Sequence, residues 1–239
     1  MHLDSIDFFP EMYPTRDYYP FTLEIFRNVR KLSFEKPITL FVGENGTGKS
    51  TLLEAIADRC GIYIWQGPNR QRYERNPYES MLCECISVNW RSGRVPGSFF
   101  GSSVFQDFAR VLDEWAVADP GQLSYFGGKS LVSQSHGQSI MSYFRARYSR
   151  TGLYLMDEPE TALSPRTQIR LVELLIQMSR AGHAQFIIAT HSPILLACPE
   201  AIIYGFDQVP IKPLDYEETD HYLLYKDFMA NPQSFWDEN

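Results

Sequence analysis

The chain has 239 residues, of which 44% are hydrophobic and 21% charged, values that exclude a disordered, collagenous or low-complexity protein and allow one large α/β domain. No apolar run approaches the roughly 18 residues that a membrane span needs, so no membrane insertion is expected. The formal charge of −7 gathers at one end, where residues 215–239 set seven acids against Lys226 alone; the remaining body is nearly neutral and gives no general argument for nucleic acid.

The N-terminal MHLDSIDFFPE contains Asp4, Asp7 and Glu11 and no Lys or Arg, unlike a secretory or transit segment, which predicts a cytoplasmic protein. Residues 37–42 form a short apolar run that predicts a buried strand, and residues 50–59, with Leu52, Leu53, Ile56 and Ala57 in helical register, predict a helix. Residues 61–134 mix alternating stretches, many turn residues and a helical stretch around 104–115, and read as a small antiparallel and helical subdomain inserted into one domain spanning 1–239. Within it, Cys83 and Cys85 are expected on one face of a strand. The four cysteines lack a CxxC pair and a disulfide framework. Residues 153–156 predict a second buried strand. A helix follows from Ser164 as N-cap and Pro165 at its first position to about Arg180, and residues 185–190 predict a third strand. Strands alternating with helices indicate a mainly parallel sheet flanked by helices. The acidic C-terminal stretch reads as a helix that packs Tyr222, Tyr225, Phe228 and Trp236 back on the domain.

The segment Gly43-Glu44-Asn45-Gly46-Thr47-Gly48-Lys49-Ser50, followed by Thr51, satisfies G-x-x-x-x-G-K-[ST] and lies between the strand and helix that this pattern requires. Its glycines let successive backbone N–H groups face phosphate oxygens. Lys49 reaches the β- and γ-phosphates and Ser50 ligates Mg²⁺. A second GKS at Gly127–Ser130 lacks the preceding loop glycine and is assigned no nucleotide. Asp157 and Glu158 follow the strand at 153–156, at the end where ligands of open α/β sheets gather. Adjacent side chains point apart, so Asp157 is read as the metal-side carboxylate and Glu158 as the base that polarises water.

Three further segments complete an ordered set. Ser135-His136-Gly137-Gln138 resembles the signature motif of ABC-type ATPases, Asp157-Glu158-Pro159 their Walker B with its catalytic Glu, Thr161–Ser164 their D-loop, and His191 their switch histidine. The sequence is similar to the soluble RecF, SMC and OLD group of the AAA family of ABC-type P-loop ATPases, and within it to compact stand-alone members. That resemblance implies Mg²⁺-dependent ATP hydrolysis in a head-to-tail homodimer. Each ATP would lie between the Lys49 loop of one chain and Ser135, Gly137 and Gln138 of the other, with His191 reading the γ-phosphate. His136 replaces the first signature glycine and Ser164 stands where transporter ATPases carry Asp. The glutamine-loop position falls to Ser102, Ser103 or Gln106, and Phe21, Phe26, Arg27 and Arg30 are candidates for contact with adenine.

Lys49 and Ser135 lie too close in sequence for a long coiled coil, and too few residues follow His191 for a nuclease domain, so an effector is expected on a separate chain, in DNA maintenance or phage defence. A membrane-transporter subunit or a slowly hydrolysing scaffold are the alternatives. Residues 70–78 (RQRYERNPY) and Arg145, Arg147 and Arg150 combine basic with aromatic groups and could meet nucleic acid, although a solvated surface is the commoner outcome.

Overall fold

Short apolar strands buried on both faces build the centre of the molecule, which the computed structural model describes for residues 1–65, 76–126 and 128–236. In chain order the strands are β1 (Leu3–Phe8), β2 (Lys31–Ser33), β3 (Ile38–Val42), β4 (Ile86–Trp90), β5 (Gly97–Gly101), β6 (Gly152–Asp157), β7 (Ala184–Ala189), β8 (Ala201–Gly205) and β9 (Lys212–Leu214). The helices are α1 (Glu24–Asn28), α2 (Lys49–Cys60), α3 (Phe105–Ala118), α4 (His136–Arg147), α5 (Pro165–Arg180), α6 (Pro193–Leu196) and α7 (Asp220–Ala230). One sheet runs β5-β6-β7-β3-β8-β9 and is parallel apart from its β8–β9 edge pair; β2-β1-β4 form a separate antiparallel sheet.

Side chains of the parallel strands alternate between two cores, as the strand period of two requires. Leu153, Leu155, Ile187 and Ala189 face α1, α2 and the antiparallel sheet, while Tyr154, Met156, Phe186 and Ile188 face α3, α4 and α5. Both faces being covered, these strands carry almost no polar position, which is why they read as unbroken apolar runs. The register aligns Gly101 with Asp157, Asp157 with Ala189, Ala189 with Phe41, and Val42 with Gly205. The carboxyl ends of five strands therefore meet in one row, and the segments leaving them are brought side by side.

Several expectations are redrawn. The antiparallel element of residues 61–134 is not self-contained: β4 pairs with the N-terminal β1, and β5 joins the parallel sheet as its edge. Cys83 and Cys85 lie in a 3₁₀ turn, Met81–Cys85, rather than a strand, so they do not share a face: Cys85 is buried and Cys83 only partly. Helix α7 forms but buries none of its residues, and Tyr225 and Trp236 are 48% and 64% exposed. Phe228 packs on Phe235 and Trp236 of the same tail. Tyr222 and Tyr225 instead line an open groove of about 540 Å³ with Ile169, Val172, Ile194 and Met229. Among the described residues no helix is long and apolar enough to cross a membrane.

Polar side chains fasten the antiparallel sheet to the parallel one: the Tyr204 hydroxyl on β8 donates to the Ser33 carbonyl of β2 at 2.7 Å, and Gln185 makes three bonds at the start of β1. Gln185 on β7 is fully buried; its Oε1 accepts from the N–H groups of His2 at 2.6 Å and Leu3 at 2.8 Å, and its Nε2 donates to the Leu3 carbonyl at 2.9 Å. The carboxamide thus stands in for a neighbouring strand. Gln185→Leu strands these backbone groups in the core, and an unpaired buried group costs about 1–3 kcal/mol. A guanidinium titration should show a lower midpoint with an unchanged slope, corresponding to a loss of about 2–3 kcal/mol.

Candidate nucleotide-binding site

The phosphate loop leaves β3 and enters α2 through glycines whose backbones no other residue would hold without strain. Gly48 has φ +101, and a Cβ there would meet Phe26 at 2.8 Å and Leu23 at 2.9 Å. Gly48 also provides no side-chain cap to α2, so the first-turn N–H groups of that helix face the loop's concavity with a favourable dipole for an anion. Asp207, after β8, braces the loop entry by accepting from Glu44 N–H at 2.7 Å. Lys49 is buried and its ammonium donates to the carbonyls of Gly43 at 2.6 Å and Glu44 at 2.8 Å. An ammonium has three protons, so one stays available for a phosphate oxygen. Burial pulls the Lys49 pKa below its ordinary value, against the raising effect of Asp207, Glu158, Asp157 and Glu44.

Ser50 joins this loop to the carboxylate pair: its hydroxyl donates to Asp157 Oδ1 at 2.8 Å. Glu158, the next residue, has φ 45 and ψ 55 and is the one non-glycine residue with positive φ among the described residues. A left-handed backbone in a non-glycine residue costs of order 1–3 kcal/mol and gathers at functional sites. Here it turns Glu158 away from Asp157, and Glu158 Oε1 comes to 3.6 Å from His191 Nε2. The His191 backbone is pinned by Glu160, whose Oε1 accepts its N–H at 2.7 Å. Ser192, next in the chain, donates its hydroxyl to Gln168 Oε1 at 2.6 Å, and Gln168 Nε2 donates to the Leu163 carbonyl at 3.0 Å. The segment after β7 is therefore tied to the segment after β6 through α5. Burial raises the pKa of Asp157, offset in part by the Ser50 hydrogen bond, raises that of Glu160, and lowers that of His191.

Of the sequence-derived site residues, Gly43–Thr51, Asp157, Glu158 and His191 converge on this edge. Ser135, Gly137 and Gln138 lie elsewhere, at the start of α4: Ser135 N–H donates to Gln138 Oε1 at 3.3 Å, and a Cβ on Gly137 would be 3.6 Å from the Ala162 carbonyl. Among the described residues no hydrogen bond or ion pair links them to the phosphate loop. The adenine candidates fail on burial and pairing. Phe21 and Phe26 are both fully buried, Phe26 beneath Gly48 and Phe21 against Tyr13, Arg27 Nε donates to the Phe21 carbonyl at 2.9 Å, and Arg30 pairs with Glu11 at 2.9 Å. The exposed aromatic beside the loop is Tyr19, whose hydroxyl is hydrogen-bonded to Thr51 Oγ1. No sequence pattern marks it. Gln106 sits on α3 near His136 Nδ1 at 3.4 Å, whereas Ser102 directly follows Gly101, the register partner of Asp157. Residues 70–75 lie outside the described residues, as does Gly127 of the second GKS. Arg147 donates to the Gly97 carbonyl at 3.4 Å and Arg150 stands 5.2 Å over the Tyr125 ring, so two of the three arginines after the signature are spent on packing.

The donor set suits a magnesium nucleotide. Among the described residues no group of three or more His, Cys, Asp and Glu is placed to hold a metal alone. A hydroxyl and one carboxylate beside an anion cradle match Mg²⁺, which is bound by one or two carboxylates together with substrate phosphates. Strand, glycine loop and helix in this arrangement define the P-loop class of folds. Residues 138–197 match the family described as "AAA domain, putative AbiEii toxin, Type IV TA system", and residues 22–61 match one described as an AAA domain. The chain is 25% identical over 178 residues to YusV, a siderophore transport system ATP-binding protein of Bacillus subtilis, covering 67% of this chain and 63% of that protein. It is 27% identical over 195 residues to a multidrug resistance protein of Leishmania tarentolae, covering 79% of this chain and 12% of that protein. It spans less than two thirds of either relative. A metal-chelate type ABC transporter in an inward-facing conformation superposes with a TM-score of 0.53 at 16% identity, covering 94% of this chain and 88% of that one, a likeness of fold. In the segments 22–61 and 138–197 the chain is similar to AAA domains, along its length to ABC ATP-binding proteins, and its fold is that of the P-loop class.

A carboxylate whose pKa is raised by folding weakens the fold once ionised and stops doing so as the pH falls through its folded-state pKa. Asp157→Asn should therefore raise the melting temperature of the nucleotide-free protein at pH 7. Melts repeated at falling pH should show the gain shrinking through the carboxylate range.

Proposed function

We propose that this chain binds Mg·ATP at the Lys49 loop, closes head to tail on a second copy of itself, and hydrolyses ATP by in-line attack of water. The observation that carries this reading is the convergence of Lys49, Ser50, Asp157, Glu158 and His191 at one edge of the parallel sheet. Loop N–H groups and the free Lys49 proton take the β- and γ-phosphate oxygens. Mg²⁺, held by Ser50 Oγ and Asp157, supplies positive charge to those oxygens when bound. Glu158 accepts a proton from the attacking water, and His191 donates from Nε2 to the γ-phosphate and keeps Glu158 in register. Tyr19, beside Thr51, offers a ring face to adenine. This assignment leaves the outer γ-phosphate oxygens uncovered within one chain. Ser135, Gly137 and Gln138 at the start of α4, which make no polar contact with their own loop, suit the corresponding role across a dimer, where the helix dipole favours an anion.

Closing on ATP and opening after hydrolysis would drive a separate effector protein. The description of the family matched at 138–197 supports a setting in a toxin–antitoxin system; phage defence and DNA maintenance rest on the resemblance to the RecF, SMC and OLD group, and a nucleic-acid contact only on Arg145 and the residues around it. A second reading, the ATPase subunit of a membrane transporter, is favoured by the siderophore transport name of YusV. A third is a nucleotide-gated scaffold that hydrolyses slowly.

Removing a general base typically costs about 10²–10⁴-fold in rate. Glu158→Gln should lose at least about 100-fold in turnover while eluting from a sizing column with Mg·ATP at twice the monomer mass, with nucleotide retained. A monomeric elution without retained nucleotide contradicts the composite site. Wild-type dimerisation with negligible turnover would support the scaffold, and copurification with a membrane protein the transporter.

A further inference from the structure

His191 is held on two sides, and only one of its neighbours belongs to the motifs that mark the site. His221, in the first turn of α7, places its Nε2 3.1 Å from His191 Nδ1, with the rings 5.3 Å apart at 45°. The other ring nitrogen, His191 Nε2, is buried without a hydrogen-bond partner and lies 3.6 Å from Glu158 Oε1. Carboxylate and phosphate oxygens accept hydrogen bonds, so His191 can serve either only with a proton on Nε2. A neutral imidazole protonated there has Nδ1 as its acceptor, which makes His221 Nε2–H the donor of the pair. We infer that His221 is a positioning residue that fixes the ring plane and tautomer of His191, aiming its Nε2–H at Glu158 and the γ-phosphate. This inference rests on the nucleotide reading above for its consequence, though not for its geometry.

The surroundings are rigid enough for one hydrogen bond to matter. Thr219, buried at the N-cap of α7, accepts from Tyr222 N–H at 3.2 Å and donates to the Tyr216 carbonyl at 2.8 Å, so the first turn carrying His221 is anchored. Glu160 and the Ser192–Gln168 bond fix the backbone of His191. What they leave open is rotation of the ring, and that is the freedom His221 removes. Burial first, and then the Lys49 ammonium, hold the His191 pKa below its usual value, which keeps the imidazole neutral as this tautomer requires. The same interactions give α7 a direct line to the hydrolytic centre, since the helix that lines the open groove also orients the residue facing the γ-phosphate.

Loss of a hydrogen bond that orients a functional histidine typically costs about 10–100-fold. His221→Leu should lower kcat about tenfold or more with KM for ATP within about twofold of wild type, because the ring is misaimed and the phosphate cradle is not touched. His221→Gln, whose amide N–H can reach the same acceptor, should recover most of that loss. In a His191→Ala background His221→Leu should change nothing further. A His221→Leu enzyme with wild-type kcat, or a loss of equal size without His191, overturns the inference. The ring ¹⁵N spectrum of the nucleotide-free protein reads the pair independently of catalysis. His191 should be protonated on Nε2 with a hydrogen-bonded Nδ1, and His221→Leu should move the Nδ1 resonance to that of a free acceptor. An Nδ1 resonance unmoved by the substitution overturns the pairing itself. A wild type that ignores Mg·ATP while the resonance moves as expected removes the proposed hydrolytic function and leaves the pair intact.

Discussion

The hydrogen bond from Ser50 to Asp157 joins two segments 107 residues apart in the chain, and the site depends on what makes that bond possible. Neither residue could find the other through local structure. They meet because β3 and β6 both pair with β7, in a register that puts Phe41, Ala189 and Asp157 on one row. A slip of one residue in either pairing would turn the side chains of that strand to the opposite core, where Leu155 and Met156 belong on different sides. The apolar patterning of three strands thus sets the position of a hydroxyl against a carboxylate. Packing and function are, in that sense, specified by the same residues.

The site is also where the molecule departs from what stability alone would favour. A buried lysine, a half-buried aspartate and a left-handed glutamate are brought together, and burial opposes the charge on the first two. Each is partly answered by a neighbour, Lys49 by donating to loop carbonyls and Asp157 by accepting from Ser50. On the proposed reading, a triphosphate with magnesium would supply the charges that remain unanswered, and this edge would be more strongly held with nucleotide than without it.

Much of this was legible before the fold was known, for physical reasons. The phosphate loop announces itself because only glycine accepts the geometry at Gly48 next to Phe26. The strands at 153–156 and 185–190 read as buried because both their faces are covered, and the helix from Pro165 starts at Ser164, whose hydroxyl accepts from Thr167 N–H at 3.4 Å. The misreadings share a different cause: they concern residues whose role is set by distant partners. Phe21 and Phe26 sit upstream of the loop as stacking aromatics would, yet tertiary packing buries both, Phe26 beneath Gly48 and Phe21 against Tyr13. β1 carries Asp4 and Asp7 and gives little apolar signal, and its pairing with β4 spans the whole phosphate-loop unit. The aromatics of α7 looked like core because they are aromatic, but their helix lies on the surface. Tyr19 and His221 carried no pattern at all. Each reaches the site through a contact across 30 or more residues, Tyr19 to Thr51 and His221 to His191.

The central claim is that this edge of the sheet is built for magnesium nucleotide, and titration calorimetry addresses it without any assumption about partner or pathway. ATP with Mg²⁺ should bind to the full chain with one site per protomer, more tightly than ATP with chelator, and Lys49→Ala should abolish the heat while leaving the fold intact by circular dichroism. Absence of binding by the wild type, or binding indifferent to both Mg²⁺ and Lys49, would contradict the account.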